Sequence, residues 1–177
     1  MSSKEVFVKF RVFTDEMLKF FGDDSSYGTS SKPYPADAFH TVEASEAYFT
    51  GPLRNIMNLE PNTTYHIVVE TNKGEALRPT STGPFVEMTL IAEKTPSDKE
   101  WKKVIKNAPK PVKGKIKIQN SAKDRFSFET EKDLPYATHI KYNIVFEFTD
   151  PNGATKYGII DPYTETCPPP PPPPPNN

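Results

Sequence analysis

Residues 4–13, KEVFVKFRVF, alternate strictly: Val6, Val8, Phe10 and Val12 fall on one face, and Glu5, Phe7, Lys9, Arg11 and Phe13 on the other. That period of two belongs to a strand with one buried face, and the two phenylalanines make its second face partly aromatic. The period then changes. In DEMLKFFGDD, Met17, Leu18 and Phe21 share helical spacing and Gly22 supplies a stop, which predicts a single helical turn capping the sheets. From Asp23 to Asp37 the chain is polar, with Gly28, Pro33 and Pro35, and reads as a long surface loop.

Short strands are predicted around residues 39–43 and 47–49, followed by LRNIMNLEPNTTYHIVVETNKG. There the spacing Leu59-x-Pro61-x-Thr63-x-Tyr65 before an apolar run matches a tyrosine corner, in which a phenol hydroxyl ties a crossing loop back to its sheet. PFVEMTLIAE alternates as another strand. TPSDKEWKKVIKNAP predicts a short helix with Thr95 at its cap, Pro96 in its first turn, Trp101, Val104 and Ile105 on one face, and Pro109 ending it. KGKIKIQNSAKDRFSFET predicts a hairpin. THIKYNIVFEFTDPNGATKYGIID predicts two long strands joined at Asp150-Pro151-Asn152-Gly153, where proline fixes φ and glycine accepts a positive one. Roughly seven to nine strands with turns about every ten residues predict an all-β antiparallel sandwich of Greek-key or jelly-roll type, with one or two short helices.

Length bounds the organisation: 177 residues support one core, so residues 1–166 form one sandwich domain and residues 167–177 a polyproline tail. Twelve Phe and eight Tyr furnish that core although the hydrophobic total is 35%. Twenty-two Lys and Arg against 23 Asp and Glu give no general attraction to nucleic acid or to an anionic membrane, and a net charge of −1 leaves little repulsion between copies. Neither an apolar leader segment nor a run of membrane-spanning length is present, and the single cysteine forms no internal disulfide; both point to the cytoplasm. In that compartment the pattern Asn62-Thr63-Thr64 has no glycosylation role.

Few residues suggest chemistry. His40, His66 and His139 each lie inside a predicted strand without metal-ligand spacing, and no phosphate loop or nucleophile motif occurs, so the sequence calls for no enzyme, metal or cofactor. Asp23 and Asp24 lack calcium-loop spacing and read as a solvated loop. The seven lysines between Lys102 and Lys117 read as a solvated helix face and a lysine-guarded strand edge before they read as a phosphate site. Tyr27, Tyr34, Trp101 and Tyr163 are the candidate platform for stacking on a sugar ring. The eight prolines Pro168, Pro169, Pro170, Pro171, Pro172, Pro173, Pro174 and Pro175 predict a stiff rod of about 25 Å with Cys167 at its hinge, assigned to contacts between copies, with a foreign polyproline reader and a disordered solubilising tail as the alternatives.

Both ends of the chain carry a resemblance. EVFVKFRVFTDEMLKFF, through Thr14, Asp15 and Glu16, and YNIVFEFTDPNGATKYGIIDPYT, through Tyr157, Gly158, Asp161 and Pro162, resemble the opening strand and closing hairpin of the inclusion body protein family that includes PixA and AidA. The resemblance covers about residues 4 to 164. It implies a cytoplasmic bacterial β-sandwich protein, associated in some members with abundant intracellular inclusions. Three functions follow as expectations. The first is a non-enzymatic protein that self-assembles as a homo-oligomer, filament or lattice, aided by the tail. The second is a carbohydrate-binding, lectin-like module that takes a glycan. The third is a fibronectin type III-like scaffold, which requires seven strands and a core Trp ahead of the tyrosine corner.

Overall fold

The computed structural model describes residues 2–22, 26–44, 48–50, 56–74, 86–90, 98–118, 120–122, 125–134 and 138–161. In chain order the elements are β1 (Lys4–Val12), α1 (Thr14–Phe21), β2 (Tyr34–Pro35), β3 (His40–Glu43), β4 (Phe49–Thr50), β5 (Ile56–Leu59), β6 (Thr63–Thr71), β7 (Val86–Leu90), α2 (Asp98–Val104), β8 (Lys115–Ile118), β9 (Asn120–Ala122), β10 (Arg125–Glu129), β11 (Thr138–Thr149) and β12 (Thr155–Ile160). Two sheets result: a five-stranded one in the order β3-β1-β6-β10-β9, and a seven-stranded one in which β2-β12-β11-β5-β4 is joined by β7 and β8.

Alternation places the core between the sheets. Val8, Phe10 and Val12 of β1 and Tyr65, Ile67 and Val69 of β6 face Ile140, Tyr142, Ile144 and Phe146 of β11, all nearly inaccessible to solvent. Aromatic rings bridge the layers: Phe10 lies 5.7 Å from Tyr142 and meets Phe49 edge-on at 6.0 Å. The fold is therefore the expected all-β sandwich, with differences that have physical causes.

β1 and β6 pair in parallel, from Lys4 opposite Thr63 to Val12 opposite Thr71, and β2 pairs in parallel with β12. The sandwich is thus not purely antiparallel. Alternation fixes which face a residue takes but not which strand lies beside it. The described residues also hold twelve strands where seven to nine were expected, because several are only two to four residues long.

The predicted hairpin over KGKIKIQNSAKDRFSFET is divided: β8 pairs with β7 in one sheet, whereas β9 pairs with β10 in the other. The chain changes sheets between Ile118 and Asn120, a corner of the kind that sandwiches make at a bend. α1 runs two turns, not one, ending where the Gly22 N–H, at φ 70°, donates to the Leu18 carbonyl. α2 stops at Val104, short of Pro109, while Thr95 and Pro96 lie outside the described residues. The segment read as a surface loop is clipped onto the sheet: Gly28 accepts from the Tyr157 N–H at 3.0 Å and the Ala36 N–H donates to Ile159 at 2.8 Å. Tyr34 is consequently buried.

The tyrosine corner forms as its spacing predicts. The Glu60 N–H donates to the buried Tyr65 hydroxyl at 2.8 Å, Leu59 and Thr63 are buried, and the Thr63 hydroxyl donates to the Pro61 carbonyl at 3.0 Å. Burial pushes the Tyr65 phenol up to about 12, so it remains a neutral bonding group. A fibronectin type III arrangement is nonetheless excluded, because Trp101 follows the corner and β1 and β6 are parallel.

Candidate functional site

On the outer face of the five-stranded sheet, the residues opposite the buried set of β1 are Glu5, Phe7, Lys9 and Arg11. Their cross-strand neighbours on β6 are Thr64, His66, Val68 and Glu70. The register brings opposite charges together: Arg11 reaches Glu43 on β3 at 3.0 Å and Glu70 on β6 at 3.1 Å, and Lys9 reaches Glu70 at 3.7 Å. Among these paired charges stands Phe7, 63% exposed, its ring stacked on His66 at 4.8 Å and 24°. His66 is held from both sides, with Nδ1 2.8 Å from the Ser127 hydroxyl and Nε2 3.4 Å from the Glu5 carboxylate. Phe7 is thus a large apolar ring held in a fixed orientation on the outer face of this sheet.

A second locus lies where α1 meets the closing hairpin. A cleft of about 730 Å³ is lined by Asp15 and Lys19 of α1, Tyr34, Lys73, and the turn Asp150-Pro151-Asn152 with Lys156. The turn is fixed by the Asp150 carboxylate, which accepts from the N–H groups of Asn152 at 2.9 Å and Ala154 at 2.8 Å, with Gly153 at φ 81°. Asp15 pairs with Lys73 at 3.1 Å, both side chains more than half exposed. The groups collected there are lysines and aspartates in open solvent, suited to weak polar contact.

Beside that cleft runs a row of aromatic rings. Phe20 meets Phe21 edge-on at 5.1 Å, Phe21 lies 5.1 Å from Tyr27 and 5.3 Å from Tyr34, and Phe39 backs the row at 5.6 Å from Phe20. Close by, the Asp161 N–H donates to Asp37 at 2.8 Å. Burial pushes the Asp37 carboxyl up to about 7; the Asp161 carboxylate adds to the rise and the Asp161 N–H opposes it. Burial holds the neighbouring His40 imidazole below its usual range, against the bond from Nδ1 to the Ala36 carbonyl.

These two groups titrate in opposite senses. Asp37 keeps a proton in the fold that the unfolded chain releases near about pH 4, so its contribution is complete below that pH and is lost as pH rises through about 7. The His40 contribution is present above about pH 6.5 and is lost as pH falls. Asp37→Asn keeps an oxygen for the Asp161 N–H and removes the first effect. Urea unfolding will show the variant equal to the native chain at pH 4 and more stable at pH 8, by roughly 1–3 kcal/mol once partial solvent screening is allowed for.

The expected site residues disperse. Trp101 is not a ligand platform: it is fully buried, its indole N–H donating to the Gly114 carbonyl at 3.0 Å. Tyr34 is core as well, since its ring fills the space that a side chain at Gly28 would need, 2.5 Å from where a Cβ would stand. Tyr27 is half-buried with the Lys32 ammonium 4.5 Å above its ring, and Tyr163 lies outside the described residues. No shared sugar platform is built from the described members of that set.

Of the family motif, Thr14 is buried at the start of α1, Asp15 lines the cleft, and one Glu16 carboxylate oxygen is buried without a partner among the described residues. Tyr157 lies opposite Glu147 on the sheet, and Gly158 leaves room for the Phe146 ring, on which a Cβ would collide. Pro162, Cys167 and the proline run lie outside the described residues. The alternation of β1 marks Phe7 only as an outward aromatic; its bracing by His66 depends on the parallel β1–β6 register, which no local pattern announces.

Among the described residues no three His, Cys, Asp or Glu side chains are gathered to hold a metal ion, and no helix is long and apolar enough to cross a membrane. No family model matches the chain, and no curated protein does. Among solved structures the chain is similar to an inclusion body protein (PixA) from Burkholderia cenocepacia J2315, at 8% identity and a TM-score of 0.42, over 90% of this chain and 94% of that one.

Proposed function

We propose that the protein is a non-catalytic cytoplasmic β-sandwich that associates with itself through the outer face of the β1–β6 sheet and accumulates as ordered intracellular bodies. The observation that carries this reading is Phe7, a braced aromatic ring 63% exposed at the middle of that face. Covering such a ring contributes about 1.5–3 kcal/mol, and in a two-fold contact each copy covers the ring of the other. Lys9, Arg11, Glu43 and Glu70 beside it are already paired within the sheet, which lowers the desolvation cost of bringing two faces together. A net charge of −1 adds little repulsion. The resemblance of both chain ends to inclusion body proteins agrees with this role.

Sedimentation equilibrium over a concentration series tests it. The native chain will show concentration-dependent association, and Phe7→Lys, a solvent-facing change, will raise the dissociation constant by at least about tenfold. A native chain that stays monomeric throughout, or a variant that associates as the native chain does, overturns the proposal.

A further inference from the structure

The imidazole of His66 is held rigidly. Its side chain is 14% exposed, its ring is stacked on Phe7 at 4.8 Å, and its Nδ1 lies 2.8 Å from the Ser127 hydroxyl. When Nδ1 donates to that hydroxyl, Nε2 carries the lone pair, the tautomer in which a histidine binds a metal. Nε2 is turned to the Glu5 carboxylate, which is 62% exposed and 3.4 Å away. Among the described residues Glu5 forms no other ion pair. An acceptor then stands opposite an acceptor, with room for a cation between them. The separation is long for an N–H···O bond, whose usual length is about 2.9–3.0 Å. It equals the spacing of two ligands on one zinc ion: at bonds of about 2.1 Å and a tetrahedral angle, neighbouring ligand atoms stand about 3.4 Å apart. Imidazole and carboxylate are both zinc ligands, and the serine behind the ring is the outer partner that fixes such an imidazole in place.

One chain supplies only this pair. Nearby polar groups of the same face are engaged elsewhere: the Thr64 hydroxyl is bonded to that of Ser3 at 2.8 Å, Glu70 to Arg11 at 3.1 Å, and Glu129 to Lys106 at 3.4 Å. Among the described residues no third ligand joins His66 and Glu5. Zinc takes four. A two-fold contact doubles every group it contains. Phe7 lies directly opposite His66 in the strand register and two residues from Glu5 on β1, so a contact that covers Phe7 gathers two imidazoles and two carboxylates around it. The two Glu5 charges, which repel where the faces meet, are then balanced by the charge of one zinc ion.

We propose that His66 and Glu5 form half of a zinc site, completed by His66 and Glu5 of a second copy, so that one zinc ion joins two chains across the β1–β6 face. This rests on the self-association proposed above and names the ion that strengthens it. The test uses the full-length chain carrying Cys167→Ser, because a free thiolate competes for zinc. Sedimentation equilibrium is run in EDTA, in zinc chloride and in magnesium chloride. Zinc will lower the dissociation constant by about tenfold or more, with the effect complete at one zinc per two chains. Magnesium, which prefers oxygen ligands to imidazole, will leave it unchanged. Glu5→Gln and His66→Gln will each remove the zinc response, and His139→Gln, on the other sheet, will keep it. A dissociation constant that is the same in zinc and in EDTA overturns the proposal; association in EDTA that Phe7→Lys weakens leaves the self-association reading standing in that case. Zinc bound at one per chain without tighter association, an equal response to magnesium, or a response that Glu5→Gln retains overturns the zinc site as well. A chain that stays monomeric in EDTA and in zinc overturns both.

Discussion

Replacing Trp101 with alanine will lower the free energy of unfolding by about 3–5 kcal/mol, read as a fall in the urea midpoint with the slope unchanged. The indole is among the largest fully buried side chains, and α2 is anchored around it. The helix end is stitched to the end of β10 and the residues just after it by two backbone bonds, Lys106 N–H to Glu129 at 2.8 Å and Glu131 N–H to Val104 at 2.9 Å, while Ile105 N–H bonds back to Trp101 at 2.8 Å within the helix. The indole N–H meets the carbonyl of Gly114, in a tight turn where Lys113 and Gly114 both have positive φ. Removing the ring leaves a cavity between helix and sheet and orphans that carbonyl. A helix of seven residues is too short to persist without the contact, so the loss falls at the upper part of the range.

Thr130→Val is the second large effect, although the two side chains have nearly the same shape. The buried Thr130 hydroxyl accepts from the Thr63 N–H at 3.0 Å and donates to the Glu60 carbonyl at 2.6 Å. A methyl group in its place leaves a buried donor and acceptor without partners, at about 1–3 kcal/mol each. The same urea titration will show a loss of roughly 2–4 kcal/mol. The Tyr65–Glu60 bond of the corner will persist, so tyrosine fluorescence of the folded variant will match that of the native chain. A loss below about 0.5 kcal/mol would show that water or a rearranged neighbour satisfies both groups.

These two residues also mark how far the sequence could be read. Tyr65 was recognisable because its bond to Glu60 is local, five residues away, and its spacing is written in the chain. Thr130 does the same kind of work from 67 residues beyond Thr63, and nothing adjacent to it announces the partner. The faces of β1, β6 and β11 were legible from alternation alone, since period two decides burial whatever strand lies alongside. The parallel register of β1 and β6 was not, and with it went the stacking of Phe7 on His66. Trp101 shows the opposite limit. A lone tryptophan beside lysines at helical spacing fits a binding platform or a core anchor equally well, and only the packing of Val104 and Ile105 on the same side decides for the core. The polar segment before Asp37 misled through its composition: Gly28 is there because the Tyr34 ring needs its space, and bare backbone reads as a loop.

The most direct test of self-association through this face is an isotope-filtered NOE experiment on a mixed sample, one half carrying ¹³C-labelled Phe and the other unlabelled, at a concentration where sedimentation shows association. The account predicts intermolecular NOEs from the Phe7 ring to side chains of the β1–β6 face of the second copy, Val68 foremost. Association without any intermolecular NOE to Phe7, or with NOEs confined to residues of the seven-stranded sheet, would contradict it.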